Sequence, residues 1–243
     1  MGNPEASTQV EPSLPTLNEP RRLVKIAVFD YDGTLINTQS GSQFTRYLLA
    51  RGIISPWNTA KVVWWGARYV LHLPHDQAAV RRYLVDDLGH FSREEILQIM
   101  TDFHDQVLTR YYRPSGLRQI ERCREEGCVC VLVSATFWGI ARRACEYAGL
   151  DAFLATKMAC DANGSFTGNV EGAVMEGPEK PKALAAWADA TYGPGNWVVE
   201  YAFGDHHSDE ELLECARCPS AVNPGRTMRS IAKRRGWPIL EWR

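Results

Sequence analysis

The sequence predicts an α/β protein: a parallel sheet with helices on both faces and an all-helical insertion after the first strand. Three observations carry this. Short β-branched runs alternate with helical patterns along the chain. Polar residues stand at the carboxyl ends of those runs. Between Thr38 and about Arg113 the strand signal vanishes. Alternating strands and helices pack as a parallel sheet covered on both sides, and ligands bind at the carboxyl ends of its strands.

The first strand is Leu23 to Phe29, LVKIAVF, which ends abruptly in acidic residues. A short apolar run of this kind reads as a buried strand. A helical pattern from Leu117 to Glu126 stops at Gly127 and leads into a second strand, Val129 to Val133. Trp197 to Phe203 forms a third strand and Ala221-Val222 a short fourth. Helical patterns lie between them at Phe137–Tyr147, Pro181–Thr191 and Asp209–Ala216. In the insertion, apolar side chains recur at spacings of three and four: Phe44, Tyr47 and Leu48; Val80, Tyr83 and Leu84; Ile96, Ile99, Met100 and Phe103. That period belongs to helices. The expected division is residues 23–37 and 114–243 as the α/β core and 38–113 as a helical cap beside the site. Residues 1–22 hold four prolines and no apolar run, and read as a disordered lead-in without a secretory signal.

With 243 residues, 45% apolar, the chain can bury a large core. A formal net charge of −2 gives no basic field for nucleic acid. The longest apolar stretch, Ala60 to Leu73, is interrupted by Lys61, Arg68 and His72. It is too short and too charged to span a bilayer, so no stable membrane insertion is expected. The adjacent Trp64 and Trp65 belong by expectation to an apolar helix face. Of seven cysteines, Cys128 and Cys130 fall in a strand, and Cys215 with Cys218 make a lone C-x-x-C. One such pair is a poor zinc site, and the thiols are expected to be reduced in a cytoplasmic protein.

Four constellations carry chemistry. Asp30-Tyr31-Asp32-Gly33-Thr34 places two carboxylates two residues apart just beyond a strand. One can attack phosphorus while the other moves protons, with Gly33 permitting the turn; a plain strand-to-loop turn uses the same residues. Ser134-Ala135-Thr136 offers a hydroxyl and backbone amides for a phosphate oxygen, or else caps the helix beginning near Phe137. Lys180 and Lys182 stand at a helix start, which the macrodipole disfavours unless an anion is there. Asp205 and Asp209, in GDHHSD, follow a strand through a glycine, and hard oxygen ligands from two strand ends suit Mg²⁺.

The order of these groups resembles the haloacid dehalogenase superfamily of phosphatases. FDYDGTLI is similar to its first motif, VLVSAT to its second, the lysine after GPE to its third and GDHHSD to its fourth. The likeness runs from about Lys25 to Trp242. It is closest to the branch of phosphoserine phosphatases and their hydrolase relatives, through LATKMACDANGSFTG, FGDHHSDEELLE and AVNPGRTMRSIAKRRGWPIL. The resemblance implies a Rossmann-like core with a helical cap and a Mg²⁺-dependent phosphatase acting on a small phosphate ester. It implies Asp30 as the nucleophile that becomes an aspartyl-phosphate. Asp32 is implied as general acid/base with its carbonyl on the metal. Ser134, with Gly33 and Ala135, binds phosphate in this reading, and Lys180 neutralises nucleophile and phosphate. Asp205 and Asp209 complete the metal site. The family's glutamate for a substrate ammonium is replaced by Gln39, so phosphoserine is not the favoured substrate; cap arginines such as Arg46, Arg51, Arg68, Arg81 and Arg82 are available to an anionic group instead. Phosphoserine phosphatase proper, a phosphotransferase on the same fold, and a catalytically silent binding protein are the alternatives.

Overall fold

The computed structural model describes residues 23–55, 91–162, 164 and 166–243, together with positions 57, 60, 61, 64 and 88. The expectations for residues 1–22, for Val80, Tyr83 and Leu84, and for Trp65, Arg68, Arg81 and Arg82 lie outside the described residues.

Among the described residues, seven strands form one sheet: β1 (Val24–Phe29), β2 (Cys128–Phe137), β3 (Ala152–Cys160), β4 (Phe166–Glu171), β5 (Trp197–Gly204), β6 (Cys218–Val222) and β7 (Ile239–Leu240). Their order is β4-β3-β2-β1-β5-β6-β7. Every neighbouring pair is parallel except β3 and β4, so the expected parallel sheet carries one antiparallel edge. Among the described residues, the helices are α1 (Ser40–Ala50), α2 (Arg93–Phe103), α3 (Pro114–Glu125), α4 (Trp138–Ala148), α5 (Glu179–Tyr192), α6 (Glu210–Glu214) and α7 (Arg226–Arg235).

The period of two along the central strands divides the core. Ala27 and Phe29 of β1, with Cys128, Cys130 and Leu132 of β2, join one apolar cluster, while Ile26, Val28, Val131 and Val133 join another. Successive side chains of a strand point to opposite faces, so both faces of β1 and β2 are buried. α3 and α4 cover the first face with Ile120, Cys123, Ile140 and Ala144; α5, α6 and α7 cover the second with Leu184, Leu213, Met228 and Ile231. α1 and α2 add Phe44, Tyr47, Leu48, Ile96, Met100 and Phe103 to the first cluster, so their described parts share the core's own apolar interior. A capping box, Ser92 with Glu95, starts α2. A π turn, His104–Leu108, and a 3-10 turn, Thr109–Tyr111, lead from α2 back to the core. Among the described residues, no helix is long and apolar enough to cross a membrane.

Three details differ from the sequence reading. β2 continues past Val133 to Phe137, with an irregular register between Ser134 and Phe137, so Ser134 lies within the strand. The helix expected at Asp209–Ala216 is a 3-10 turn, His207–Asp209, followed by the short α6. β3, β4, β7 and α7 were not foreseen: β3 and β4 mix polar with apolar residues, β7 is two residues long, and α7 holds its apolar Met228, Ile231 and Ala232 among many basic residues.

Candidate active site

Three central strands end at one place. β1 delivers Asp30, whose backbone N–H donates to the Phe203 carbonyl of β5 at 2.9 Å. β5 ends at Gly204 and hands the chain to Asp205. β2 brings Ser134 beside them. These residues, with Asp32, Gln39, Ala135, Glu176, Lys180, His206, Ser208 and Asp209, line a cavity of about 400 Å³ at the carboxyl edge of the sheet. Of the residues the resemblance assigns to the site, Asp30, Asp32, Gln39, Ser134, Ala135, Lys180, Asp205 and Asp209 line it, and Gly33 packs behind Asp205.

A buried ion cluster forms its floor. Lys180 Nζ donates to Asp30 Oδ1 at 2.7 Å and to Asp209 Oδ1 at 2.6 Å. The side chains of Lys180, Asp30 and Asp209 are 3%, 7% and 1% exposed. Lys182, by contrast, is 67% exposed and pairs with Glu179 at 2.7 Å. The structure therefore brings Lys180 to the carboxylates and leaves Lys182 at the surface. Burial opposes the charge on Lys180, but Asp30 and Asp209 outweigh it and raise its pKa. Burial pushes the Asp30 carboxyl well above its usual range; Lys180 pulls it back, and Asp209 and Asp205 add to the rise.

Asp205 completes an acidic triad. Asp30, Asp205 and Asp209 each offer one oxygen, and these oxygens lie within 4.8 Å of one another. Burial, then the charge of Asp209, lifts the Asp205 carboxyl to about 7. Three hard carboxylates beside one lysine leave an excess of negative charge that a divalent cation fits. Two glycines let the groups approach. Gly33 sits at φ +81°, and a Cβ there would lie 2.1 Å from Asp205 Oδ2. A Cβ on Gly204 would lie 2.8 Å from Asp209 Oδ2.

Asp32 faces the other side of the cavity. Its Oδ1 accepts from the Ser40 N–H and its Oδ2 from the Ser40 hydroxyl, both at 2.7 Å. The Ser40 hydroxyl also lies 2.8 Å from Thr136 Oγ1. Burial raises the Asp32 carboxyl to about 6, against the lowering effect of the Ser40 bonds. A carboxyl titrating there can give and take a proton near neutral pH. Ser134 is buried, and its Oγ accepts from the Thr136 N–H at 3.2 Å. The N-cap of α4 is Phe137, with no side-chain cap bond, so Ser134 does not cap that helix. Gln39 is exposed at the start of α1 and lines the cavity.

Sequence reading missed Ser40 and Glu176, and quoted Thr136 beside Ser134 and His206 inside GDHHSD without giving either a place in the site. Ser40 and Thr136 touch across 96 residues of chain, a pairing that no local pattern announces. Glu176 stands in the turn before Lys180, one residue ahead of the quoted GPE and without a motif of its own.

A family model described as haloacid dehalogenase-like hydrolase matches residues 27–214. A histidinol-phosphatase of Neisseria meningitidis is 25% identical over 219 residues, which cover 90% of this chain and 99% of that protein. A phosphoserine phosphatase of Mycobacterium tuberculosis is 27% identical over 229 residues, 92% of this chain and 73% of the relative. Among solved structures, a protein of unknown function from Bordetella pertussis superposes with a TM-score of 0.78 at 23% identity, covering 90% and 98% of the two chains. A phosphoserine phosphatase holding an analogue of its phospho-aspartyl intermediate matches with a TM-score of 0.59 at 18% identity, covering 91% and 94%. Both superpositions establish a shared fold.

Proposed function

Given that the chain belongs to the haloacid dehalogenase-like hydrolase family, we propose that it hydrolyses the phosphate monoester of a small metabolite through Asp30, with Mg²⁺ as cofactor. The enzyme class, phosphoric monoester hydrolase, follows from the family and from relatives named as phosphatases. The observation that carries the mechanism is the buried pairing of Asp30 and Asp209 with one lysine at the carboxyl edge of the sheet.

In this reading the free Oδ2 of Asp30 attacks phosphorus and forms an acyl-phosphate. Lys180 stays protonated between Asp30 and Asp209 and offsets the charge of the transferring group. The Ser134 hydroxyl and the backbone around Ala135 bind a phosphoryl oxygen, and the turn at Gly33 offers further backbone. Asp32, protonated at the start, gives its proton to the leaving oxygen. Once charged, it takes a proton from the water that attacks the acyl-phosphate, which restores Asp30. Asp30, Asp205 and Asp209, with the Asp32 carbonyl, would hold Mg²⁺. The ion supplies charge stabilisation for the phosphoryl oxygens. The division into a core of 23–37 and 114–243 and a cap of 38–113 belongs to the same proposal, with α1 placing Ser40 and Gln39 against the site.

The test is turnover of p-nitrophenyl phosphate with Mg²⁺, with a chelator, and after restoration. Loss on chelation and recovery with Mg²⁺ is expected. Full activity in the chelator, or better recovery with Zn²⁺, contradicts the metal assignment.

A further inference from the structure

One charged side chain of the cavity has no part in that scheme. Glu176 lines the same cavity as Asp30 and Asp205, yet it is exposed and makes no ion pair among the described residues. Glu179, three positions on, is by contrast paired with Lys182. The turn that carries Glu176 is fixed at both ends. Its carbonyl accepts from the Glu179 N–H at 3.2 Å, and the Lys180 N–H donates to the Gly177 carbonyl at 3.1 Å, so the turn runs directly into α5. On the other side the Met175 N–H donates to Thr156 Oγ1 at 3.1 Å, and that hydroxyl donates to the Ala135 carbonyl at 2.9 Å. Thr156 thus ties the Glu176 turn to the segment proposed to bind phosphate.

Lys180, the cation lining the cavity among the described residues, is committed to Asp30 and Asp209. Beyond the phosphoryl and metal groups, a leaving group meets the amide of Gln39, the imidazole of His206, the hydroxyl of Ser208 and the carboxylate of Glu176. Among the described residues, an anionic leaving group finds no committed counter-charge there, and a cationic one finds the carboxylate of Glu176, beside the His206 imidazole. We propose that Glu176 receives a cationic nitrogen, an ammonium or a protonated imidazole, on the leaving group of the substrate; this rests on the phosphatase reading above. Gln39 taken alone points away from amine-bearing esters. Glu176 reverses that expectation by supplying the carboxylate from the core side of the cavity, four residues before Lys180. A fifth carboxylate beside the site, added to Asp30, Asp32, Asp205 and Asp209, repels the phosphate unless a positive group on the substrate accompanies it.

The experiment compares two esters of similar shape, phosphoethanolamine and propyl phosphate, on the full chain with Mg²⁺, in wild type and in Glu176→Gln. A charge-assisted hydrogen bond is worth roughly ten- to a hundredfold in specificity. The kcat/KM ratio of phosphoethanolamine to propyl phosphate is expected to be about tenfold or more higher in wild type than in the variant. Comparing ratios between the two proteins removes the difference in leaving-group basicity, which the substitution does not alter. A wild-type ratio near one, or the same ratio in Glu176→Gln as in wild type, overturns the proposal while leaving the phosphatase reading in place. Hydrolysis of neither ester, nor of p-nitrophenyl phosphate, overturns the two together.

Discussion

Asp32 and Lys180 show at single residues how environment assigns chemistry. Asp32 is half-buried, and its desolvation lifts its carboxyl to about 6 while two bonds from Ser40 keep it aimed. Asp32→Asn keeps the shape but cannot exchange the proton. It is expected to slow both halves of the reaction by about 10²–10⁴-fold. An ester with a very good leaving group should recover the first half only. Equal loss of the phosphorylation rate for good and poor leaving groups would show that Asp32 is not the acid. Lys180 is a matter of stability as well as chemistry. Removing one partner of a buried ion pair leaves uncompensated charge and costs about 3–5 kcal/mol, whereas an exposed pair is worth about 0.2–1 kcal/mol. Lys180→Ala should therefore lower unfolding stability in urea several times more than Lys182→Ala, which loses only the exposed contact with Glu179. Equal losses would contradict the buried assignment.

At the scale of elements, the site exists because strands stop together. β1 and β5 are paired through Phe29 and Phe203, whose rings stack at 4.9 Å, and both chains turn out of the sheet immediately beyond. Gly33 is the tightest point of that junction. Gly33→Ala imposes a positive φ on a side-chain residue and drives a Cβ into the Asp205 carboxylate. Displacing a reacting group by about 1 Å can cost about 10²-fold in rate. A loss of that order in kcat, with a weaker response to Mg²⁺, is expected; unchanged kinetics would mean that Asp205 is not needed where the structure puts it. The strands that end at the site were legible in sequence because each is an apolar run broken by a polar residue: LVKIAVF before Asp30, VCVLV before Ser134, WVVEYAF before Gly204. β3 and β4 were not. FTGNVE forms an edge strand and mixes polar with apolar residues, so its identity comes from pairing with β3. The choice between Lys180 and Lys182 could not come from periodicity, since residues two apart on a helix face different ways without saying which way is inward. The Ser40–Thr136 contact and the place of Glu176 needed the folded chain, because each depends on segments far apart in sequence.

For the molecule as a whole, folding concentrates negative charge at one edge of the sheet, and this sets its dependence on pH and metal. Asp205 titrates at about 7 and Asp32 at about 6 in the folded chain, both above the usual carboxyl value of 3.8. Folding therefore favours their protonated forms. Their contribution to stability is fully present below about pH 4 and is lost as pH rises through 6 and 7. Mg²⁺ binds the charged forms and so competes with protons. At one fixed, saturating concentration, Mg²⁺ should raise the Tm more at pH 8 than at pH 5.5, by differential scanning fluorimetry. The same increase at both values would contradict binding at the acidic triad.

The central claim is that Asp30 carries the phosphoryl group, and rapid quenching of the enzyme during turnover followed by borohydride reduction and peptide mass spectrometry tests it most directly. An acyl-phosphate at Asp30 is reduced to homoserine at position 30, and the account predicts that product in wild type with its loss in Asp30→Asn, which should also be inactive yet folded. Phosphate recovered on Ser134, or turnover with no modification at position 30, would contradict it.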